Sequence, residues 1–448
     1  MKVVKFGGTS LASAPQIKKV CDIILSDSKR RLVIVSAPGK RFDDDVKMTD
    51  LLIELGEKYY KDKKADKELK RVIDRFDEIA KGLGLDEEIV KIVHDDLNQR
   101  LKSEYAGKEK FMDTMKAAGE DNNAKVVAEY LKSTGVDAKY VNPKDAGMLL
   151  SDECGNGRIL PESYDNLKLL SDRKEIMIFP GFFGCSKNGD IVTFSRGGSD
   201  ISGSILAAAV NAEMYENFTD VDSVFAANPK IIENPKPIPV FTYKEMRELA
   251  YSGFSVLHEE TLEPVYRKKI PVCIKNTNNP SSDGTLITPV RESKGRPVIG
   301  IASAEGFCSI YVTKYMMNRE IGFGRKILAI IEDEGLSYEH TPSGIDDMSI
   351  ILEQNQIDDK KEQRLKERIK KELEVDDVSV ERDLALVMVV GEGMRDTVGV
   401  ADKATNALSK AGVNIEMINQ GSSEVSMMFG VLQSDNEKSV RALYSEFF

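Results

Sequence analysis

Lys5, Gly7, Gly8, Thr9 and Ser10 crowd the start of the chain in an order that suits the binding of an anion. Gly7 and Gly8 let the backbone turn without a Cβ, and Thr9, Ser10 and Ser13 offer oxygens able to cap a following helix. A helix start presents unpaired N–H groups and the positive end of a dipole. Lys5 adds a full charge where a phosphate would sit. The plainer reading is a tight βα turn beside a surface lysine, and Gly-Gly alone does not separate the two. A second device of the same kind lies far along the chain, at Arg196-Gly197-Gly198-Ser199-Asp200. Arg suits a two-pronged grip on a carboxylate, whereas Asp200 could simply cap a helix. Phe218-Thr219-Asp220-Val221-Asp222 then sets paired acids after an apolar run, with Asn228-Pro229-Lys230 close behind. Acids at the carboxyl end of a sheet strand meet ligands in open α/β folds, and elsewhere they form turns.

Other chemistries find no support. G-x-x-x-x-G-K-[ST] is absent, so the phosphate device is not a P-loop, and H-R-D and D-F-G are absent too. The three histidines, His94, His258 and His340, are not spaced to share a metal. Five scattered cysteines without C-x-x-C read as reduced, buried small hydrophobes in a cytosolic enzyme. A formal net charge of −11 argues against a protein that works by holding nucleic acid. No apolar run is long enough to span a membrane, and Lys2 and Lys5 interrupt the first apolar stretch, so no secretory leader is expected.

The elements that must position these residues alternate. Val3 and Val4 lead into the first glycine turn, and Ile17, Val20, Cys21 and Ile24 mark one face of a helix behind it. Arg31–Ala37 reads as a strand buried on both faces. After it come Pro38-Gly39-Lys40-Arg41, three aspartates at 43–45, and a helix start at Met48-Thr49. From about Ile53 to Met115 the chain is dense in Lys, Glu and Asp. Stripes at Leu69, Val72, Ile73, Phe76 and at Ile89, Ile92, Val93 predict solvated amphipathic helices there. Helix is expected at 123–132 and 201–211, and strand at 138–141, 175–180, 190–195, 214–219 and 271–276, an α/β pattern with a mainly parallel sheet. Beyond a linker at 291–297 the grammar changes to two tandem βαββα units, an internal repeat of ferredoxin-like character.

Lys5-Phe6-Gly7-Gly8-Thr9-Ser10, Arg196-Gly197-Gly198-Ser199-Asp200 and Phe218-Thr219-Asp220-Val221-Asp222 together resemble the aspartate kinases of the amino-acid kinase family. Asn276-Thr277-Asn278-Asn279-Pro280 and Gly284-Thr285-Leu286-Ile287 resemble the end of that kinase domain. The resemblance implies an αβα sandwich kinase domain over 1–293. Two ferredoxin-like (βαββαβ) ACT domains follow, at 303–382 and 383–448, the second expected to be inserted within the first. It implies phosphoryl transfer from MgATP to the β-carboxylate of L-aspartate, the first step of lysine, threonine and methionine biosynthesis, in a cytoplasmic enzyme. By matching motif, Lys5 would neutralise charge on the group in transfer, and Asp200 would orient Lys5 and the substrate. Gly7, Gly8 and Thr9 would donate to phosphate. Arg196 would grip the α-carboxylate of aspartate, with Thr49, Glu120, Phe182 and Ser199 around it and Glu120 on the α-ammonium. Thr219, Asp220, Phe225, Lys230 and Ser255 would line the nucleotide. Ser255 stands where many members carry Lys, and Phe225 and Lys230 where Tyr and Arg are common. Mg²⁺ would ride mainly on phosphate oxygens and water, without a protein ligand set.

The ACT pair further implies a feedback amino acid, lysine first and threonine second, and a homodimer or higher homo-oligomer. Met317, Asn318, Ile321 and Gly322 would meet the effector ahead of the first ACT helix. Glu339, Ser343, Asp346 and Asp347 would face them, the acids taking ammonium groups or, alternatively, only capping turns. Two rivals stand beside this reading. Another kinase of the same fold, acting on glutamate, acetylglutamate or uridylate, is separated by an acceptor assay. An idle sensor using only the ACT pair is argued against by an intact Lys5 and Asp200.

Overall fold

The computed structural model describes residues 1–195, 197–251, 253, 259–292, 296–421 and 425–448. One compact unit comprises Met1–Val224, Pro237–Met246 and Ser255–Arg291; a second comprises Phe225–Lys236, Arg247–Phe254 and Glu292–Phe448.

The first unit opens with β1 (Lys2–Phe6), α1 (Ala14–Leu25) and β2 (Arg30–Val35), then α2 (Met48–Asp62), α3 (Asp66–Leu83), α4 (Glu87–Lys102) and α5 (Lys108–Ser133). β3 (Ala138–Tyr140), α6 (Glu162–Lys168), β4 (Ile176–Pro180), the hairpin of β5 (Phe183–Cys185) and β6 (Ile191–Thr193), α7 (Gly198–Ala209) and β7 (Met214–Thr219) follow. After β8 (Val224–Phe225) and β9 (Pro237–Ile238) come β10 (Val240–Thr242), α8 (Tyr243–Tyr251), α9 (Glu263–Lys268), β11 (Val272–Asn276) and β12 (Thr285–Thr288). Among the described residues one eight-stranded sheet runs β10-β12-β11-β7-β1-β2-β4-β3. The strands from β11 to β3 are all parallel, and β12 is antiparallel to β11. Val3, Val4, Phe6 and Leu32–Val35 are wholly buried because helices cover both faces, which is why these strands show no apolar alternation.

The charged stretch folds as amphipathic helices whose stripes enter the main core through Val72, Phe76, Ile89 and Val93. Ile92 is off the stripe and exposed. α5 is far longer than the helix expected at 123–132. It is buried nearly all round from Phe111 to Ala124, so it carries no stripe for periodicity to find.

The second unit carries β13 (Gly300–Thr313), α10 (Phe323–Asp333), β14 (Asp347–Glu353), α11 (Asp359–Leu373), β15 (Asp377–Val390), α12 (Val400–Lys410), β16 (Met417–Asn419), β17 (Ser426–Leu432) and α13 (Asn436–Phe447). Its antiparallel sheet is ordered β14-β13-β15-β17-β16. β13 and β15 each serve both repeats: Ser309–Thr313 pairs with Asp377–Glu381, and Gly300–Glu305 pairs with Ala385–Val390. The repeat with α12 and α13 therefore draws one strand from ahead of the repeat with α10 and α11. The strand pairing nests the first repeat within the second, the reverse of the expected nesting. Val378–Glu381 and Leu384–Val390 read as separate strands because Arg382-Asp383 interrupts the apolar run. They are one strand whose register with β13 slips twice, at Gly306 and again opposite Cys308, where Asp383 holds φ +57°. Each repeat has its own core, one around Ile310, Ile327 and Leu365 and the other around Val387, Leu408 and Phe429.

Candidate active site

Parallel pairing brings the carboxyl ends of β2, β1, β7 and β11 to one edge of the sheet, with Val35 opposite Phe6, Phe6 opposite Phe218, and Asn276 opposite Thr219. That edge is where open α/β sheets hold ligands. Lys5, next to last on β1, is buried, and its ammonium lies 2.5 Å from Asp200 Oδ1 on the first turn of α7. The two sequence devices thus meet as one ion pair. Asn217, directly opposite Lys5 on β7, donates from Nδ2 to the same Asp200 oxygen at 2.9 Å, and its Oδ1 lies 3.5 Å from Lys5 Nζ. Gly7 closes over this group: its N–H donates to Phe218 O, and a Cβ there would lie 3.7 Å from the Lys5 ammonium.

Thr9 and Ser10 do not cap α1. Gly8–Leu11 forms a 3-10 turn of its own, Thr9 is exposed, and Ser10 Oγ is 2.7 Å from Thr277 Oγ1 at the end of β11. Ser13 takes the N-cap position of α1 without a side-chain cap bond.

Ser36–Gly39, just past β2, is the hub that ties the turn to the helices. Ser36 N–H donates to Phe6 O, and Ser36 O accepts from Asn123 Nδ2. Pro38 O receives the N–H of Met48 at the start of α2, which places Thr49, half-buried, on that helix. Gly39 N–H donates to Gly8 O at 2.8 Å. A Cβ at Gly39 would sit 2.5 Å from the Gly8 carbonyl carbon, so only glycine permits this approach. From behind, the buried Arg75 donates to Gly39 O and Ala12 O and pairs with Asp45. Arg41 and Arg75 together hold the Asp45 carboxyl well below the usual range.

Glu120 is buried in α5 with the Ala37 N–H on its carboxylate, yet Oε2 has no partner. Burial pushes its pKa up to about 8 against the pull of the Ala37 N–H. Phe182 holds φ +76° between β4 and β5, with its N–H on Ser202 Oγ of α7. A Cβ on Gly198 would lie 2.6 Å from the Phe182 ring, so glycine lets Phe182 pack against the start of α7, beside the buried Ser199. Thr219 ends β7 half-buried, and Asp220 follows it exposed. Phe225 and Lys230 fall in the 225–236 segment of the second unit; Phe225 is half-buried, and Lys230 is exposed with its N–H on Asn228 Oδ1. Arg196 and Ser255 lie outside the described residues. Among the described residues no three His, Cys, Asp or Glu side chains converge as metal ligands.

Residues 1–276 match the amino acid kinase family, and residues 387–447 match the ACT domain. Aspartokinase 3 of Bacillus subtilis is 56% identical over 448 residues, covering 100% of this chain and 99% of the relative. The chain belongs to the aspartate kinases of the amino acid kinase family. The crystal structure of the Clostridium acetobutylicum aspartate kinase superposes on this aspartate kinase with a TM-score of 0.87 at 40% identity, covering 100% of both chains. E. coli aspartokinase III shares the fold at 24% identity over 100% of this chain. Its complex with aspartate and ADP gives a TM-score of 0.80 and covers 100% of that chain; its complex with lysine and aspartate gives 0.76 and covers 99%.

In this aspartate kinase the turn ahead of α10 is tied to the facing loop. Asp346 accepts the Met316 N–H on Oδ1, and Ile345 O receives the Asn318 N–H. Met317 is buried in the core of the repeat, while Ile321 is 95% exposed beside the exposed Gly322. Ser343 and Asp347 lie at the same end of β14, as the bridge from Ser343 to Met348 shows. Glu339 does not join them. Its N–H donates to Ile351 O, about 13 Å along the strand from Asp347 at the usual rise per residue. Reading acids by chain proximity missed that separation. Sequence reasoning also passed over Asn217, Ser36–Gly39 and Arg75. A pair of polar residues, Glu216-Asn217, inside an otherwise apolar strand was the signal available for the first.

Proposed function

We propose that this aspartate kinase transfers the γ-phosphoryl group of MgATP to the β-carboxylate of L-aspartate, giving 4-phospho-L-aspartate and ADP on the route to lysine, threonine and methionine. A carboxylate oxygen attacks phosphorus, the bond from phosphorus to the β–γ bridging oxygen breaks, and ADP leaves with that electron pair. The acceptor is already ionised at neutral pH, so positioning and charge neutralisation suffice and no strong base is required. The observation that carries the reading is the Lys5 ammonium, held on Asp200 beneath the Gly7 turn at the carboxyl edge of the sheet. Lys5 neutralises the group in transfer, Asp200 orients Lys5, and Gly7, Gly8 and Thr9 donate to phosphate. Mg²⁺ bound to the nucleotide supplies further neutralisation of phosphate charge. The unpartnered oxygen of Glu120 is chemically suited to the α-ammonium of aspartate, with Thr49, Phe182, Arg196 and Ser199 at the rest of the substrate. Thr219, Asp220, Phe225, Lys230 and Ser255 serve the nucleotide. The aspartate and ADP bound to E. coli aspartokinase III support aspartate and the nucleotide as the substrates. ADP release is expected with aspartate and not with glutamate, acetylglutamate or uridylate; turnover of one of these three in place of aspartate sinks the reading.

Feedback by lysine, with threonine second, acts through the ACT repeats; the E. coli aspartokinase III complex with lysine supports lysine as a ligand. Asn318, Ile321, Gly322, Ser343 and Asp347 are the residues at that turn suited to it. The chain works in the cytoplasm as a homodimer or higher homo-oligomer. Among the described residues no helix is long and apolar enough to cross a membrane. Inhibition requires a coupling of about 1–3 kcal/mol between effector and substrate sites, and by reciprocity the substrates weaken lysine by the same factor. Calorimetry with lysine, alone and with saturating aspartate and nucleotide, tests both halves: no heat removes lysine, and equal affinity in both titrations removes the coupling.

A further inference from the structure

Asn217 stands in the middle of β7, paired on one side with Lys5 of β1 and on the other with Ile274 of β11, so its backbone is held from both flanks. It is 3% exposed. Asparagine is disfavoured in strands, and a buried amide costs free energy unless both of its ends are bonded. Here both ends have charged neighbours. Nδ2 donates to Asp200 Oδ1 at 2.9 Å, and Oδ1 faces the Lys5 ammonium at 3.5 Å. The amide can sit only this way round. Flipped, its NH₂ would oppose an ammonium and its carbonyl a carboxylate.

We propose that Asn217 is a positioning residue for phosphoryl transfer, holding the Asp200 carboxylate so that the Lys5 ammonium stays free to turn toward the transferred group. The proposal rests on the assignment of Lys5 and Asp200 made above. Both the ammonium and the amide contact the same oxygen, Asp200 Oδ1. In a site this buried, a lone ammonium and carboxylate attract each other strongly. Turning Lys5 to a phosphate would then leave Asp200 without a partner, a state that costs free energy. The amide N–H keeps one bond on that oxygen throughout, so the ammonium can be shared with the substrate. An apolar residue of the same size would fill the space and leave Asp200 with the lysine alone. An aspartate would put two carboxylates on one ammonium, and two such groups resist ionising together.

The test uses the full-length enzyme carrying Asn217→Leu, Asn217→Asp or Lys5→Ala, with kcat and both KM values measured from pH 6 to 8.5. Asn217→Leu is expected to lower kcat on the order of 10–100-fold, the scale of a small misplacement, while both KM values stay within about twofold. In Asn217→Asp the protonated side chain can donate an O–H to Asp200 as the amide does. Its kcat is therefore expected near wild type at pH 6 and to fall progressively as the pH rises, a fall absent from wild type. A purely structural role would leave no such signature in kcat. A kcat within twofold of wild type in a folded Asn217→Leu, or an Asn217→Asp profile parallel to wild type, overturns the proposal. Should Asn217→Leu fail to fold, the Asn217→Asp profile decides alone. Wild-type turnover in Lys5→Ala overturns the site assignment and this proposal with it. An inactive Lys5→Ala beside unaffected Asn217 variants overturns the positioning role and leaves the site assignment standing.

Discussion

Two buried charge clusters lie on opposite faces of the same strands, because Glu216 and Asn217 are neighbours on β7 and must point opposite ways. On one face Arg30 grips Glu216 with two nitrogens, at 2.6 and 3.1 Å, and its remaining donors reach Ile23 O and Ser26 Oγ. Lys2 adds a second cation at 3.5 Å. That cluster is fixed from several sides, with four of the five N–H donors of its planar fork bonded. On the other face Lys5 is a point charge held by a single carboxylate oxygen and steadied by an amide, with a glycine turn above it. The first cluster pins α1 and β2 to the sheet, whereas the second is the ion pair on which the proposed phosphoryl transfer rests. Burial of an ion pair therefore does not by itself mark a site; the difference is between a planar fork fixed by four bonds and a point charge with two neighbours that can turn.

Breaking the Arg30 cluster should have the largest effect, and on stability alone. Glu216→Ala leaves Arg30 buried without its carboxylate, which costs about 3–5 kcal/mol. Urea unfolding is expected to show a lowered midpoint, while kcat of the folded enzyme stays within about twofold. A large loss of kcat at unchanged stability would erase the distinction between the two faces.

Lys5→Ala and Asp200→Ala make the converse test. Each is expected to lower kcat by at least about 10²–10³, the usual loss when a charge-stabilising group is removed, with an unchanged circular dichroism spectrum. Wild-type-like turnover in either folded variant would place the chemistry elsewhere.

A smaller effect follows from Glu120, buried with its Oε2 unpartnered. With its pKa pushed up to about 8 by burial, the carboxyl is mostly neutral at pH 7. Pairing with an α-ammonium needs the ionised form, so KM for aspartate should rise by up to about tenfold for each pH unit below pH 8 and level off above it. Glu120→Gln should flatten the profile. The sign for stability is opposite. A carboxyl whose folded pKa is raised stabilises the free enzyme below the unfolded pKa, and that contribution is lost as pH rises toward 8. Thermal unfolding between pH 5 and 8 should therefore show less loss in Glu120→Gln than in wild type.

Sequence patterns revealed the parallel sheet and both ferredoxin-like repeats because those strands and helices are uniformly apolar or regularly striped. The strand over 214–219 is placed to the residue. α5 and the shared strands β13 and β15 were not legible, the first for want of a stripe and the others because a bulge reads like a boundary. At the site, the Lys5 and Asp200 motifs were visible as separate turns. Their 2.5 Å meeting, and the Asn217 amide between them, depend on strand register over more than two hundred residues, which local pattern does not encode. The same limit applies to the turn ahead of α10 and its facing loop, where Glu339, Asp346 and Asp347 are close in sequence while Glu339 bonds to Ile351, four residues along β14 from Asp347.

The smallest expected effect concerns a neutral link at the same edge. Ser10 and Thr277 are both buried, and their hydroxyls meet at 2.7 Å, joining the turn after Gly7 to the end of β11. Neither hydroxyl is charged, so the bond should contribute only about 0.5–1.5 kcal/mol. Ser10→Ala or Thr277→Ala should each lower stability by about 1–3 kcal/mol, since each leaves a buried hydroxyl short of its partner. The double variant should lose less than the sum, a coupling that a double-mutant cycle reads directly. Because the link anchors the turn and not the ammonium, KM for ATP is expected to move more than kcat. If kcat instead falls as far as in Lys5→Ala, the turn and the ion pair act as one unit, and the contrast drawn between neutral anchor and charged pair does not hold.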